Sequence, residues 1–163
     1  MNNYQLNTKW CLWYHSINDS SWKKSSYKNL YTLSNLYDIK SVNDIIQKIH
    51  LQNGMFFIMR EGIFPTWEDP DNREGCCVSF KVPGSILNEK WQEIMNRVLT
   101  EDILKDKTQS EYLNGISISP KKEFNIVKLW LRGQDGEYTD YLKEYPPQFT
   151  KEKALIKKHE LSD

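Results

Sequence analysis

Gly62-Ile63-Phe64-Pro65-Thr66-Trp67-Glu68-Asp69 is the most informative stretch of this chain. An indole is followed at once by a carboxylate, and the proline just upstream limits the freedom of the loop backbone. Trp67 thus offers a flat apolar face beside a double acceptor, a pairing suited to a cationic, donor-rich planar ligand. The same local pattern would serve an indole packed in the core beside a solvated neighbour, so the flanking elements have to decide between the two.

Upstream, Met55 to Arg60 is apolar and short enough for a buried strand; downstream, Cys76 to Val82 reads as a second strand running into Pro83-Gly84. Lys9 to His15 alternates as a first strand, with Trp10, Leu12 and Tyr14 on one face and Cys11, Trp13 and His15 on the other. The polar stretch Ser16 to Lys28 follows as a loop. Ser41 and Asp44 have capping-box spacing, and Val42, Ile45, Ile46 and Ile49 form an apolar stripe, which predicts a short helix starting near Ser41. Asn88 is the expected cap of a longer helix with Trp91, Ile94, Met95, Val98 and Leu99 on its buried face. Gly115 to Ser119 and Phe124 to Leu131 alternate as two strands joined by Pro120-Lys121-Lys122-Glu123. A helical stretch from Glu137 to Tyr145 and a last strand near Ala154 to His159 complete the chain. Alternating strands with no Gly-rich turn after the first favour an α+β fold, an antiparallel sheet covered by helices on one side, over a doubly wound parallel sheet.

At 163 residues, one domain spanning 1–163 is expected. Lys plus Arg and Asp plus Glu are both 22, so the formal charge is zero, and bulk electrostatic binding to DNA or to a membrane surface is excluded. Any contact with phosphate must therefore be local. Six Trp and nine Tyr are too many for a disordered segment. No signal peptide or membrane span is readable, and three cysteines, two of them adjacent, suit neither a disulfide framework nor a zinc site. Reduced thiols point to the cytoplasm. Cys11 and His15 would lie about 13 Å apart along a strand, too far for a thiol and its base. With no nucleophile elbow and no phosphate-binding Gly loop, neither an enzyme nor a cofactor or metal is expected.

These residues resemble the mRNA cap-binding family of eukaryotic initiation factor 4E and its homologous repressors. Gly62 to Asp69 matches the family pattern G-I-x-P-x-W-E-D. Leu6-x-x-x-Trp10-x-Leu12-Trp13-Tyr14 is similar to its first strand, Ser41-Val42-Asn43-Asp44 to the start of its first helix, Trp91 to the Trp of its second, and Gly115 to Trp130 to its ungapped strand pair. The resemblance implies a strongly curved sheet with helices on its convex face and a slot for the 7-methylguanosine triphosphate of capped mRNA. Methylated guanine is cationic and is held between two aromatic rings. Trp67 matches one ring, Glu68 the carboxylate that reads the guanine N1–H and amino group, and Trp130 the ring against the methyl group. Tyr27 and Trp22 both lie where the second ring belongs; Tyr27, in Ser26-Tyr27-Lys28-Asn29, fits the spacing to the next helix better. Lys121 falls on a phosphate-binding position.

The chain also departs from the family. The second basic position falls on Ile126, leaving Lys128, two residues on, to replace the charge, with Arg73, Lys122 and Arg132 as further candidates. On the partner-binding face, beside Val42, the family's docking Trp is Ile46, and apolar positions fall on Gln92 and Asn96. The family's flexible loop over the cap phosphates is not found after His159. The resemblance therefore implies a scaffold factor or repressor as partner, but not one engaged through the usual tyrosine-leucine motif. The rival expectation is an interaction or decoy protein that kept the fold and lost cap affinity.

Overall fold

Successive side chains of a strand point to opposite faces, so each strand contributes residues to both sides of the sheet. The computed structural model describes residues 4–133 and 138–159. In β1 (Gln5–Ser16), Trp10 and Leu12 enter the main core, while Trp13 packs with Phe57, Met59, Cys77 and Trp130 on the opposite side. The same period of two runs through β2 (Lys28–Asn35), β3 (Gly54–Arg60), β4 (Cys76–Pro83), β5 (Leu113–Pro120), β6 (Phe124–Leu131) and β7 (Leu155–Lys158). The strands form one open antiparallel sheet in the order β2-β1-β3-β5-β6-β4-β7. The fold class is thus α+β, with β2 and β7 as the edges.

Three helices cover one face: α1 (Leu36–Ile45), α2 (Lys48–Asn53) and α3 (Leu87–Leu99). On α3, Trp91, Ile94, Met95, Val98 and Leu99 are all buried, as their spacing predicts. Each contributes on the order of 2 kcal/mol by leaving water, and Trp91→Ala would cost about 3–5 kcal/mol through the cavity it leaves. The other face of the sheet stays open.

Helix starts are where the local reading fails. The first helix begins at Leu36, not near Ser41: Asn35, still extended at the end of β2, accepts from the Asp38 N–H, and the Asp38 carboxylate accepts from the Asn35 N–H. Ser41 lies inside the helix, its hydroxyl donating to the Tyr37 carbonyl at 3.0 Å. The chain turns extended at Ile46, so the predicted stripe splits: Val42 and Ile46 are buried, whereas Ile45 and Ile49 are 70% and 65% exposed. α3 begins one residue before Asn88, and its N-cap, Ile86, makes no side-chain cap. Within the expected stretch Glu137 to Tyr145, Glu137 lies outside the described residues and α4 spans Tyr138–Tyr141.

Candidate functional site

On antiparallel strands, directly opposed residues point to the same face, so the cross-strand register fixes what the open face presents. One row runs Trp13, Phe57, Ser117, Lys128, Ser79; the next runs Cys11, Met59, Gly115, Trp130, Cys77, Lys157; on the other side lie His15, Met55, Ser119, Ile126 and Lys81. Gly115 leaves room that a side chain would take, since a Cβ there would lie 2.4 Å from the Met59 sulfur.

Above these rows the β3–β4 loop is tied down by its own polar residues. Gly62, at φ +95, makes the turn out of β3 that other residues adopt only with strain. The Asp69 carboxylate accepts from the N–H groups of Phe64 and Asp71, both at 2.9 Å. Fully buried Asn72 donates to the carbonyls of Phe64 (3.1 Å) and Thr66 (2.8 Å), and Asn114 of β5 donates to the Asn72 side chain at 2.8 Å. This scaffold holds Trp67, 38% exposed, and Glu68 at the mouth of a cavity of about 370 Å³. Trp22, Tyr27, Phe57, Ser117, Lys128 and Trp130 are among the residues that line it.

Each group there has a distinct environment. Trp130 is nearly buried, and its indole N–H donates to Ser117 Oγ at 3.0 Å, which fixes the ring as a floor. Tyr27 is half-buried, with the rings of His15, Phe57 and Phe64 at centroid distances of 4.8, 5.6 and 5.2 Å. Burial, followed by the nearby Glu68 charge, pushes its phenol up to about 12, so it stays neutral near pH 7. Trp22 is 55% exposed, and its inner face lies parallel to the buried His15 ring at 4.2 Å. His15 in turn fastens the β1–β2 loop, its ring nitrogens lying 2.8 Å from the Ser16 and Ser21 carbonyls and 3.0 Å from Ser26 Oγ. Among the described residues the Glu68 carboxylate has no hydrogen bond or ion pair, which leaves both its oxygens available as acceptors.

The structure thus brings together Trp22, Tyr27, Trp67, Glu68, Lys128 and Trp130. Lys121 and Lys122 are exposed on the β5–β6 hairpin, outside the cavity lining, and so is Arg73. Arg132 lies 3.4 Å from Asp71. On the helical face, Gln92 donates to the Asn43 carbonyl at 3.4 Å and Asn43 to the Asn96 side chain at 3.2 Å, closing the α1–α3 seam with amides over buried Val42 and Ile46. The sequence did not single out Ser117, Asn72 or Asn114, nor His15 as a support; the alternation of β1 and β5 was the available signal for His15 and Ser117. At the far side Cys77 Sγ lies 3.3 Å from His159 Nε2, but burial pushes the thiol up to about 12, which removes it as a nucleophile near neutral pH.

The profile of the family described as Eukaryotic initiation factor 4E matches residues 5–152. The chain is 29% identical over 142 residues to the Saccharomyces cerevisiae protein Eukaryotic translation initiation factor 4E, covering 82% of this chain and 64% of the yeast one. It is 24% identical over 140 residues to a homolog from Acanthamoeba polyphaga mimivirus, covering 73% of this chain and 52% of the viral one. It therefore spans less than two thirds of the length of either relative. Among solved structures, Ascaris suum eIF4E-3 in complex with an m7G cap has a TM-score of 0.73 at 24% identity, over 84% of this chain and 77% of that one. A schistosome eIF4E complexed with m7GpppA and 4E-BP has a TM-score of 0.74 at 17% identity, over 83% and 75%. These similarities establish the shared fold. No helix among the described residues is long and apolar enough to cross a membrane.

Proposed function

The chain belongs to the eukaryotic initiation factor 4E family, and from that premise and the chemistry of the cavity we propose that it binds the 7-methylguanosine cap of mRNA and acts in translation initiation or its control in the cytoplasm. The carrying observation is the Trp67-Glu68 pair, a half-open indole and an unpaired carboxylate held side by side by a rigid loop at the mouth of an aromatic cavity. N7-methylation makes guanine a delocalised cation, which Trp67 and Tyr27 attract between their faces. Glu68 accepts from N1–H and the exocyclic amine, a two-point contact that adenine cannot make. Trp130, fixed by Ser117, lies against the methyl group, while Lys128 and, from the hairpin, Lys121 face the phosphates. Binding by these groups needs no bond to be made or broken.

The stacking of Trp22 on His15 favours a second assignment of one role, in which Trp22 supplies the ring opposite Trp67 and Tyr27 only supports it. On either assignment the methylated base is selected. A desolvated cation–π contact is worth about 2 kcal/mol, so 7-methyl-GTP should bind at least about tenfold more tightly than GTP. Titration followed by tryptophan fluorescence tests this. Equal affinities, or no binding of either nucleotide, would replace the cap reading with that of a decoy that kept only the fold.

A further inference from the structure

His159 stands just beyond β7, partly buried, and is tied down through its backbone and both ring nitrogens. Its backbone N–H donates to the Gly75 carbonyl at 3.0 Å. Nδ1 lies 2.7 Å from the Asn72 carbonyl, an oxygen that can only accept, so Nδ1 carries a proton. Nε2 lies 3.3 Å from Cys77 Sγ, and that thiol, pushed up to about 12 by burial, keeps its own proton near pH 7. With the ring neutral, the thiol donates to Nε2, and a single tautomer satisfies both contacts. These contacts reach the groups that face the ligand. Asn72 is the hub of the β3–β4 loop, holding the carbonyls of Phe64 and Thr66 next to Trp67 and Glu68. Cys77 pairs across the strands with Trp130, and the His159 ring packs on the Trp130 ring with centroids 5.5 Å apart.

We propose that His159 is a positioning residue of the site, a neutral imidazole that braces both Trp130 and the Asn72 hub, and that its protonation weakens binding of the cationic base. This rests on the cap reading above, in which the methylated ring lies against Trp130. Burial is the largest influence holding the imidazole below its ordinary range; the Asn72 carbonyl and Glu68 of the loop oppose it, while Lys128 of β6 and Lys157 of β7 add to it. A proton added at Nε2 would turn an acceptor into a donor facing the Cys77 thiol, itself a donor. It would also put a positive charge behind the ring on which a cation is bound, and like charges repel. By linkage the bound cation makes the imidazole still harder to protonate. Affinity is therefore complete above the titration of His159 and is lost as pH falls through it.

The test is a titration of the full chain with the dinucleotide cap 7-methyl-GpppG from about pH 7.5 to about pH 5.5, above the range of ordinary carboxylates. This probe has no terminal phosphate to take up a proton near pH 6. Wild type should lose affinity about three- to tenfold toward the acid end. His159→Asn, whose amide can still donate to the Asn72 carbonyl but does not titrate, should bind within about twofold of wild type at the upper end and show a flatter profile; comparison at each pH cancels any ionisation of the probe itself. His159→Ala, which loses the donor and the ring, should be weaker by about two- to tenfold at every pH. Proton NMR of the wild-type imidazoles supplies a readout that needs no variant: the His159 resonance should titrate at lower pH with the probe bound than without it. A flat wild-type profile, an acid loss that persists undiminished in His159→Asn, or a His159 midpoint unmoved by the probe overturns the proposal. If wild type does not bind the probe at the upper end, the cap reading falls and this inference falls with it; if it binds there and the profile is flat, only this inference falls.

Discussion

Replacing Glu68 by Gln changes one oxygen to an amide nitrogen and almost nothing in shape. The carboxylate is exposed and makes no hydrogen bond within the described protein, while the loop around it is held by Asp69, Asn72 and Asn114. The substitution should therefore leave stability within about 0.5 kcal/mol of wild type, the usual range for a surface change. Its effect on binding is of another size. Glutamine keeps one acceptor but turns an N–H donor toward a guanine edge that presents only donors there, and it loses the charge. A charge-assisted hydrogen bond contributes about 1.5–3 kcal/mol, and solvent at the cavity mouth pulls the figure to about 2 kcal/mol, or roughly thirtyfold in Kd. Fluorescence titration with 7-methyl-GTP measures the loss, and a thermal melt of the same samples checks the fold. The reasoning is refuted if Glu68→Gln binds as wild type does, or if its affinity falls only in step with a lowered Tm.

Tyr27→Ala should lose about 1–3 kcal/mol of cap affinity, the usual cost of removing a stacking partner, and Trp22→Ala less than about 1 kcal/mol; the reverse order in paired titrations hands the second ring to Trp22. The Tyr27 phenol, displaced upward to about 12, should remain neutral where exposed tyrosines ionise, at about pH 10. Because the fold favours the neutral form, its contribution to stability is complete below about pH 10 and is lost as pH rises toward 12. The ultraviolet absorbance difference between wild type and Tyr27→Phe isolates this transition, and Glu68→Gln should bring it down; a Tyr27 transition near pH 10 in the folded wild type would contradict its burial. A peptide carrying the tyrosine-leucine motif should bind poorly to the helical face, where Ile46 is buried and Gln92 and Asn96 are tied to Asn43, since a missing aromatic anchor costs about 2 kcal/mol or more. Submicromolar binding by calorimetry would count against that.

What the sequence by itself determined is what short-range chemistry can encode. The period of two told which residues of β1 and β6 share a face, because the pleat imposes that alternation without reference to anything distant. The buried stripe of α3 was equally legible, since helical spacing alone places Trp91, Ile94, Met95, Val98 and Leu99 on one side. Trp67-Glu68 stood out because indole and carboxylate are adjacent in the chain, a local pattern that equally fits a core indole beside a solvated neighbour. The start of α1 could not: two capping patterns stand a few residues apart, and only the end of β2 at Asn35 selects between them. Nor could the support of the site. Asn72 meets Asn114 and Tyr27 meets Phe57 through pairings between distant parts of the chain. Tertiary structure alone decided these contacts, because strand order and register follow from burying one face of the whole sheet at once, and no local stretch contains that information.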